Sequence, residues 1–181
     1  DGANLGGGDY MTINQNKKVI HIVTPYDYDI IILNKKLNKT YIYFGSSGFS
    51  KFKKQAIQDG NAEKIATDVS VKRAVSKSNR LYNNSVWDLV DKSEKEVIDY
   101  SKIDRKKLTK ELQALSDAEL KKHVETQKKK RSEIKKQINE LNKKRKIYVA
   151  KKQQESTKKN ELESVMIQAI KKQAMRKNYK W

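Results

Sequence analysis

The sequence predicts a mainly α-helical chain with one short β-hairpin near its N-terminus, organised around a long basic helix and a helical return. Three observations carry that expectation. Residues 116–154 contain no Gly and no Pro and are rich in good helix formers. Alternating β-rich runs are confined to residues 10–23. Apolar residues make up 36% of the chain and charged residues 35%, so the core must be small for the length and much of the chain solvated.

The chain opens with DGANLGGGD, where Gly6, Gly7 and Gly8 mark a turn. No Gly-Lys-Ser/Thr follows, so a phosphate loop is not indicated. Tyr10–Gln15 and Lys18–Val23 are two strand-like runs around Asn16-Lys17, the pattern of a hairpin. His21 sits in the second run without a second ligand nearby, and reads as a strand residue rather than a metal ligand. After Pro25 the period changes to that of a helix. Ile30, Leu33, Leu37 and Tyr41 recur on one face, and Thr24 or Asp27 serves as cap. Asp27 and Asp29 fall in the first turn, where negative charge is favoured by the helix dipole.

Residues 49–77 read as a further helix, with Gly60-Asn61 as the place where it weakens or breaks. Ser85 is the expected cap of a short helix carrying Trp87, Leu89 and Val90, with Asp88 and Asp91 in its first turn. Two short segments near 93–100 and 105–115 lead to the long helix. There Ser116 and Glu119 form a capping box. The seam then steps by four and three through Leu120, Val124, Gln127, Arg131, Ile134, Ile138, Leu141, Arg145 and Tyr148. It is a coiled-coil-like register interrupted at three polar positions, and a stripe so thin requires a partner along its length. After a polar break at ESTKK, a denser stripe of Leu162, Val165, Met166, Ala169, Ile170 and Ala174 predicts the return helix, over 160–177. It folds back on the long helix or docks on the first half of the chain.

Charge is concentrated in the second half. Residues 101–181 hold 26 of the 41 Lys/Arg and 10 of the 22 Asp/Glu, which is +16 of the formal net +19. Such an excess attracts nucleic acid, anionic lipid or an acidic protein surface, or simply forms a solvated face. The candidate contacts for a polyanion or protein partner are Lys128, Lys129, Lys130, Arg131, Lys143, Lys144, Arg145 and Lys146. The two runs lie about four helical turns apart. No helix-turn-helix, zinc module or aromatic platform accompanies them. Without Cys there is neither a disulfide framework nor a thiolate metal site. His21 and His123 are the only histidines, and neither has the neighbours of a nucleophile–base pair, so no catalytic residue is assigned. No apolar run reaches the roughly 20 residues of a membrane span.

Several segments in order carry a resemblance. GGGDYMTINQ, KVIHIVTPYD and ILNKKLNKTYIYFG resemble the closing strand and following helix of a bacterial von Willebrand factor type A domain. VKRAVSKSNRLYNNSVWDLVD, the basic helix with IYVAKKQ, and MIQAIKKQA resemble the C-terminal extension of secreted bacterial proteins that carry that domain. The resemblance implies residues 1–45 as the end of the α/β domain, 46–115 as a helical connector, and 116–181 as the long helix with its return. It also implies an extracytoplasmic protein (periplasmic, cell-surface or secreted) that binds protein partners through a divalent cation held by an Asp-x-Ser-x-Ser loop. That loop is absent here. The nearest string, Asp68-Val69-Ser70-Val71-Lys72, ends in an ammonium group where a hydroxyl donor belongs. The expectation is therefore a non-catalytic structural and protein-interaction segment with no cofactor of its own, the cation-binding part lying upstream. Self-association through the heptad seam is a further expectation, and polyanion binding by the basic helices the alternative one.

Overall fold

The computed structural model describes residues 21–157 and 161–177. Among them are seven α-helices: α1 Asp27–Asn38, α2 Gly48–Ile65, α3 Thr67–Ser78, α4 Leu89–Lys95, α5 Lys110–Gln113, α6 Asp117–Thr157 and α7 Glu161–Arg176. Two 3-10 turns, Tyr100–Lys102 and Arg105–Lys107, connect α4 to α5. The mainly helical class is as expected. The hairpin over 10–23 lies almost wholly outside the described residues, and 21–23 carry no regular secondary structure. The β feature among the described residues is one antiparallel bridge, Tyr43 to Asp88. It is flanked by the Phe44 N–H donating to the Trp87 carbonyl and the Leu89 N–H donating to the Ile42 carbonyl, both at 2.9 Å.

The long helix is continuous over 41 residues, about 61 Å. Its start is the expected capping box. The Ser116 N–H donates to Glu119 Oε2 at 2.8 Å, and the Glu119 N–H donates back to Ser116 Oγ at 3.3 Å. Two other boundaries differ from expectation. The helix read over 49–77 does break, but at Ala66, whose backbone is extended (φ −171°, ψ 157°), and not at Gly60-Asn61. Gly60 stays helical in open space, a modest local penalty. The short helix is capped by Asp88, whose side chain accepts from the Asp91 N–H; Ser85 lies in the preceding turn.

Helices α1, α3 and α4 form the bed on which α6 lies. Helix α1 runs antiparallel to α6, since Asp27 meets Arg145 and Thr40, just past its end, meets Arg131. Two apolar clusters underlie the long helix. Ile138 packs with Ile30, Leu33, Leu37, Val71, Ala74 and Trp87, while Leu120 and Val124 pack with Ile42, Leu89, Val90, Leu108 and Leu112. The seam is therefore occupied by the chain's own helices. Leu120, Val124, Arg131 and Ile138 are fully buried, which takes these four seam positions out of any self-association surface. The core also joins all three stretches that the sequence divides at 45 and 115, because a stripe this narrow gains its burial only by collecting partners from the whole chain.

Candidate functional site

Arg131 sits where the two apolar clusters meet, with none of its side chain exposed. Thr40 Oγ1 accepts from Nε at 2.9 Å and the Thr40 carbonyl from Nη2 at 2.7 Å. Asp91 Oδ1 accepts from Nη1 at 2.6 Å, and Asp88 is reached by both Nη1 and Nη2. All five guanidinium donors are thus engaged. The plane of the group lies over the Tyr41 ring, 4.1 Å from Cζ to the ring centre, and Tyr41 stacks on Trp87. The carboxylates are held from behind as well. The Ile42 N–H donates to Asp88 at 2.7 Å and the Asn84 N–H to Asp91 at 2.7 Å. Burial raises the Asp88 carboxyl above the ordinary carboxylate range, against the pull of Arg131. Although burial opposes the Arg131 charge, Asp88 and Asp91 hold its pKa above the ordinary value. The arginine is the fixed cation of this clasp.

A second polar cluster ties α1, α2 and α3 together. Asp59 accepts from Lys77 Nζ at 2.7 Å, from Asn38 Nδ2 at 2.6 Å and from Arg73 Nε. Lys77 is wholly buried, and burial pulls its pKa down to about 8 despite Asp59. Asp59 is itself partly desolvated, yet its hydrogen bonds and ion pair with Lys77, together with Asn38 and Arg73, keep its carboxyl below the ordinary range. A third link closes the far end, where Arg145 Nε donates to the buried Asp27 at 2.8 Å. Thr24 Oγ1 and the Thr24 N–H donate to the same carboxylate at 2.6 and 3.1 Å.

The eight candidate contact residues therefore divide. Arg131 and Arg145 are not part of the exposed basic surface; they are the two seam cations that lock α6 to the bed. Lys128 is half-buried, with Nζ donating to the Ser93 carbonyl at 3.3 Å. Lys129, Lys130, Lys143, Lys144 and Lys146 are exposed. Successive residues turn by about 100° around a helix, so a run of four cations cannot share one face. Asp27 and Asp91 fall in first turns as the sequence predicts, whereas Asp88 is the cap of its helix and not a first-turn residue, and local spacing gives no sign of the long-range partners of the three. The available signal was the pair of arginines at seam positions, where a charge demands a counter-charge.

His21 faces Asp68, with Nδ1 at 2.8 Å from the carboxylate, and Lys72 Nζ stands 3.0 Å from it. Asp68, Ser70 and Lys72 lie on helix α3. Among the described residues no group of three or more His, Cys, Asp or Glu side chains is placed to hold a metal ion. No described helix is long and apolar enough to cross a membrane. His123 borders a shallow surface hollow with Lys122, Thr126 and Gln127. In comparisons with protein-family models, curated proteins and solved structures, nothing matches the chain.

Proposed function

We propose that this chain is a non-catalytic scaffold and protein-interaction segment of an extracytoplasmic bacterial protein of the von Willebrand factor type A kind. It presents a rigid basic helix to a partner. The observation that carries this reading is the buried anchoring of α6 at Arg131 and Arg145, with exposed lysines on its outer surface. A helix held by its own seam is preorganised, so little ordering is left to oppose association. The resemblance supplies the setting, with the cation-binding loop belonging to an upstream part.

The test has two arms. The coding region upstream of Asp1 must encode an Asp-x-Ser-x-Ser loop, and the full-length protein must fractionate outside the cytoplasm. An unrelated upstream domain, or a strictly cytoplasmic protein, overturns the reading.

The exposed lysines Lys129, Lys130, Lys143, Lys144 and Lys146 favour one alternative, polyanion binding along α6. Phosphate neutralisation makes such binding fall steeply with salt. Titration with duplex and single-stranded DNA at low and physiological ionic strength checks it, and absence of binding at low salt rejects it.

A further inference from the structure

We propose that the flank of α6 beside α1 is a docking trough for an acidic peptide segment of a partner protein, one carrying apolar side chains between its carboxylates. This deepens the scaffold reading and rests on it for the existence of a protein partner. Three hollows of about 330, 560 and 340 Å³ follow one another along α6, the second and third of them beside α1. The first and second share Gln127 and Lys130; the second and third share Lys36 and Gln137. Together they run from Glu119 to Lys144, about 37 Å of helix. That length accepts an extended peptide of about 11 residues.

The chemistry of the trough selects its occupant. Its floor includes Leu33, Ile134 and Leu141, the edge of the apolar cluster around Ile138. Around the middle hollow stand Lys36, Lys39 and Lys130, all exposed. Among the described residues none of the three has an ion-pair partner, whereas Lys35 beside them pairs with Glu63 at 3.5 Å. Glu133 is the carboxylate of this hollow, and it accepts from Gln137 at 3.0 Å. Three cations against one carboxylate therefore leave this hollow with a net positive charge beside Ile134, which complements carboxylates on a ligand. The wall is rigid, because Thr40 is bonded to both Arg131 and Leu37.

The end hollows suit a peptide better than a nucleic acid. Asp29 and Glu140 line one beside Lys36 and Lys144, and Glu119 lines the other beside Lys122 and Lys130, so neither end carries the uninterrupted positive charge of the middle. Duplex DNA carries one phosphate charge per about 1.7 Å and would meet these carboxylates, while a peptide can place uncharged residues there. A second copy of the chain is disfavoured by the like charge of the two molecules, +19 each.

The experiment uses the full 181-residue chain and three fluorescent probes at physiological salt. They are a peptide of about 11 residues alternating Glu with Leu and Ser, an all-Glu peptide of the same length, and a single-stranded oligonucleotide of equal charge. The mixed peptide should bind tightest. The variant K36E/K39E/K130E should lose at least about tenfold of that affinity. K51E/K53E/K54E, with the same charge change on exposed lysines of α2 away from the trough, should lose no more than about twofold, the effect of distant screened charge. Should the reversal variant fail to fold, K36Q/K39Q/K130Q carries the same comparison. Equal losses in both variants, preference for the oligonucleotide, or a dimer mass in sedimentation would each overturn the trough. None of these results touches the scaffold reading, which is decided by the upstream sequence and by fractionation.

Discussion

Arg131 on the long helix and Asp91 on α4, 40 residues apart in sequence, meet at 2.6 Å with almost no solvent at either side chain. Asp88 shares the same guanidinium. The clasp fixes the register of α6 on its bed, because only one residue of the helix can satisfy both carboxylates and Thr40 together. Apolar seam residues alone leave a one-turn slip less costly.

Removing the cation is expected to be severe. In Arg131→Met two neighbouring buried carboxylates lose their counter-charge, and breaking a buried pair in this way costs about 3–5 kcal/mol. Urea unfolding should show that loss. In a double-mutant cycle, Asp88→Asn should cost less in the Arg131→Met background than in the native one. Additive costs would mean that the pairing does not organise the site.

The Arg145–Asp27 link should be weaker, although it too lies on the seam. Arg145 retains some exposure, and Asp27 keeps both donors from Thr24 when the arginine is lost. Arg145→Ala is therefore expected to cost about 1–2 kcal/mol, between surface and buried pairs. A cost equal to that of Arg131→Met in the same urea titration would contradict this ranking.

Lys77 predicts a pH dependence with a definite sign. In the unfolded chain a lysine holds its proton to about pH 10.4, whereas burial lets the folded chain release it at about 8. Between these values the unfolded state binds more protons, so the contribution of Lys77 to stability rises with pH; below pH 8 it is flat. Burial also raises the pKa of the Tyr41 hydroxyl in the folded state. That makes tyrosine a destabilising influence above about pH 10, where unfolded tyrosines ionise. The difference in unfolding free energy between the native chain and Lys77→Met removes that background. It should grow from pH 8 to 10 in favour of the native chain, and a constant difference would exclude a desolvated Lys77. At the acid end Asp59, held low, stabilises above about pH 4 and loses that contribution as pH falls through its folded value.

Much of this fold was legible in local sequence. Heptad spacing selected the seam residues from Leu120 to Tyr148, and Ser116 with Glu119 marked the start of the helix. What spacing could not state is which surface the seam meets. Helical periodicity says that Arg131 and Ile138 share a face, but not that Asp88 and Tyr41 lie beneath. The polar seam positions read as interruptions for that reason, yet two of them are the anchors. The break at Ala66 was equally hidden. Gly60 has the lower helix propensity, but tertiary contacts of α3, including Lys77 with Asp59, decide where the chain turns. In sequence the lysine runs are undivided blocks, and only the packed helix separates the cations facing inward from those facing solvent.

Two isoleucines on the same helix test where its docked part ends. Ile138 is fully buried between α1 and α3, while Ile147, nine residues on, is 72% exposed. Truncating a buried isoleucine removes its transfer free energy and leaves a cavity, at a cost of about 2–5 kcal/mol. Truncating an exposed one changes stability by no more than about 0.5 kcal/mol. Ile138→Ala should therefore lower the urea midpoint strongly, and Ile147→Ala should leave it nearly unchanged. Helical signal beyond residue 148 then depends on helix propensity and the few contacts between α6 and α7, so amide exchange there should be faster than at Val124 or Ile138. Equal protection along all of α6, with a large cost for Ile147→Ala, would mean that the C-terminal end of the helix, from Ile147 on, is covered in solution.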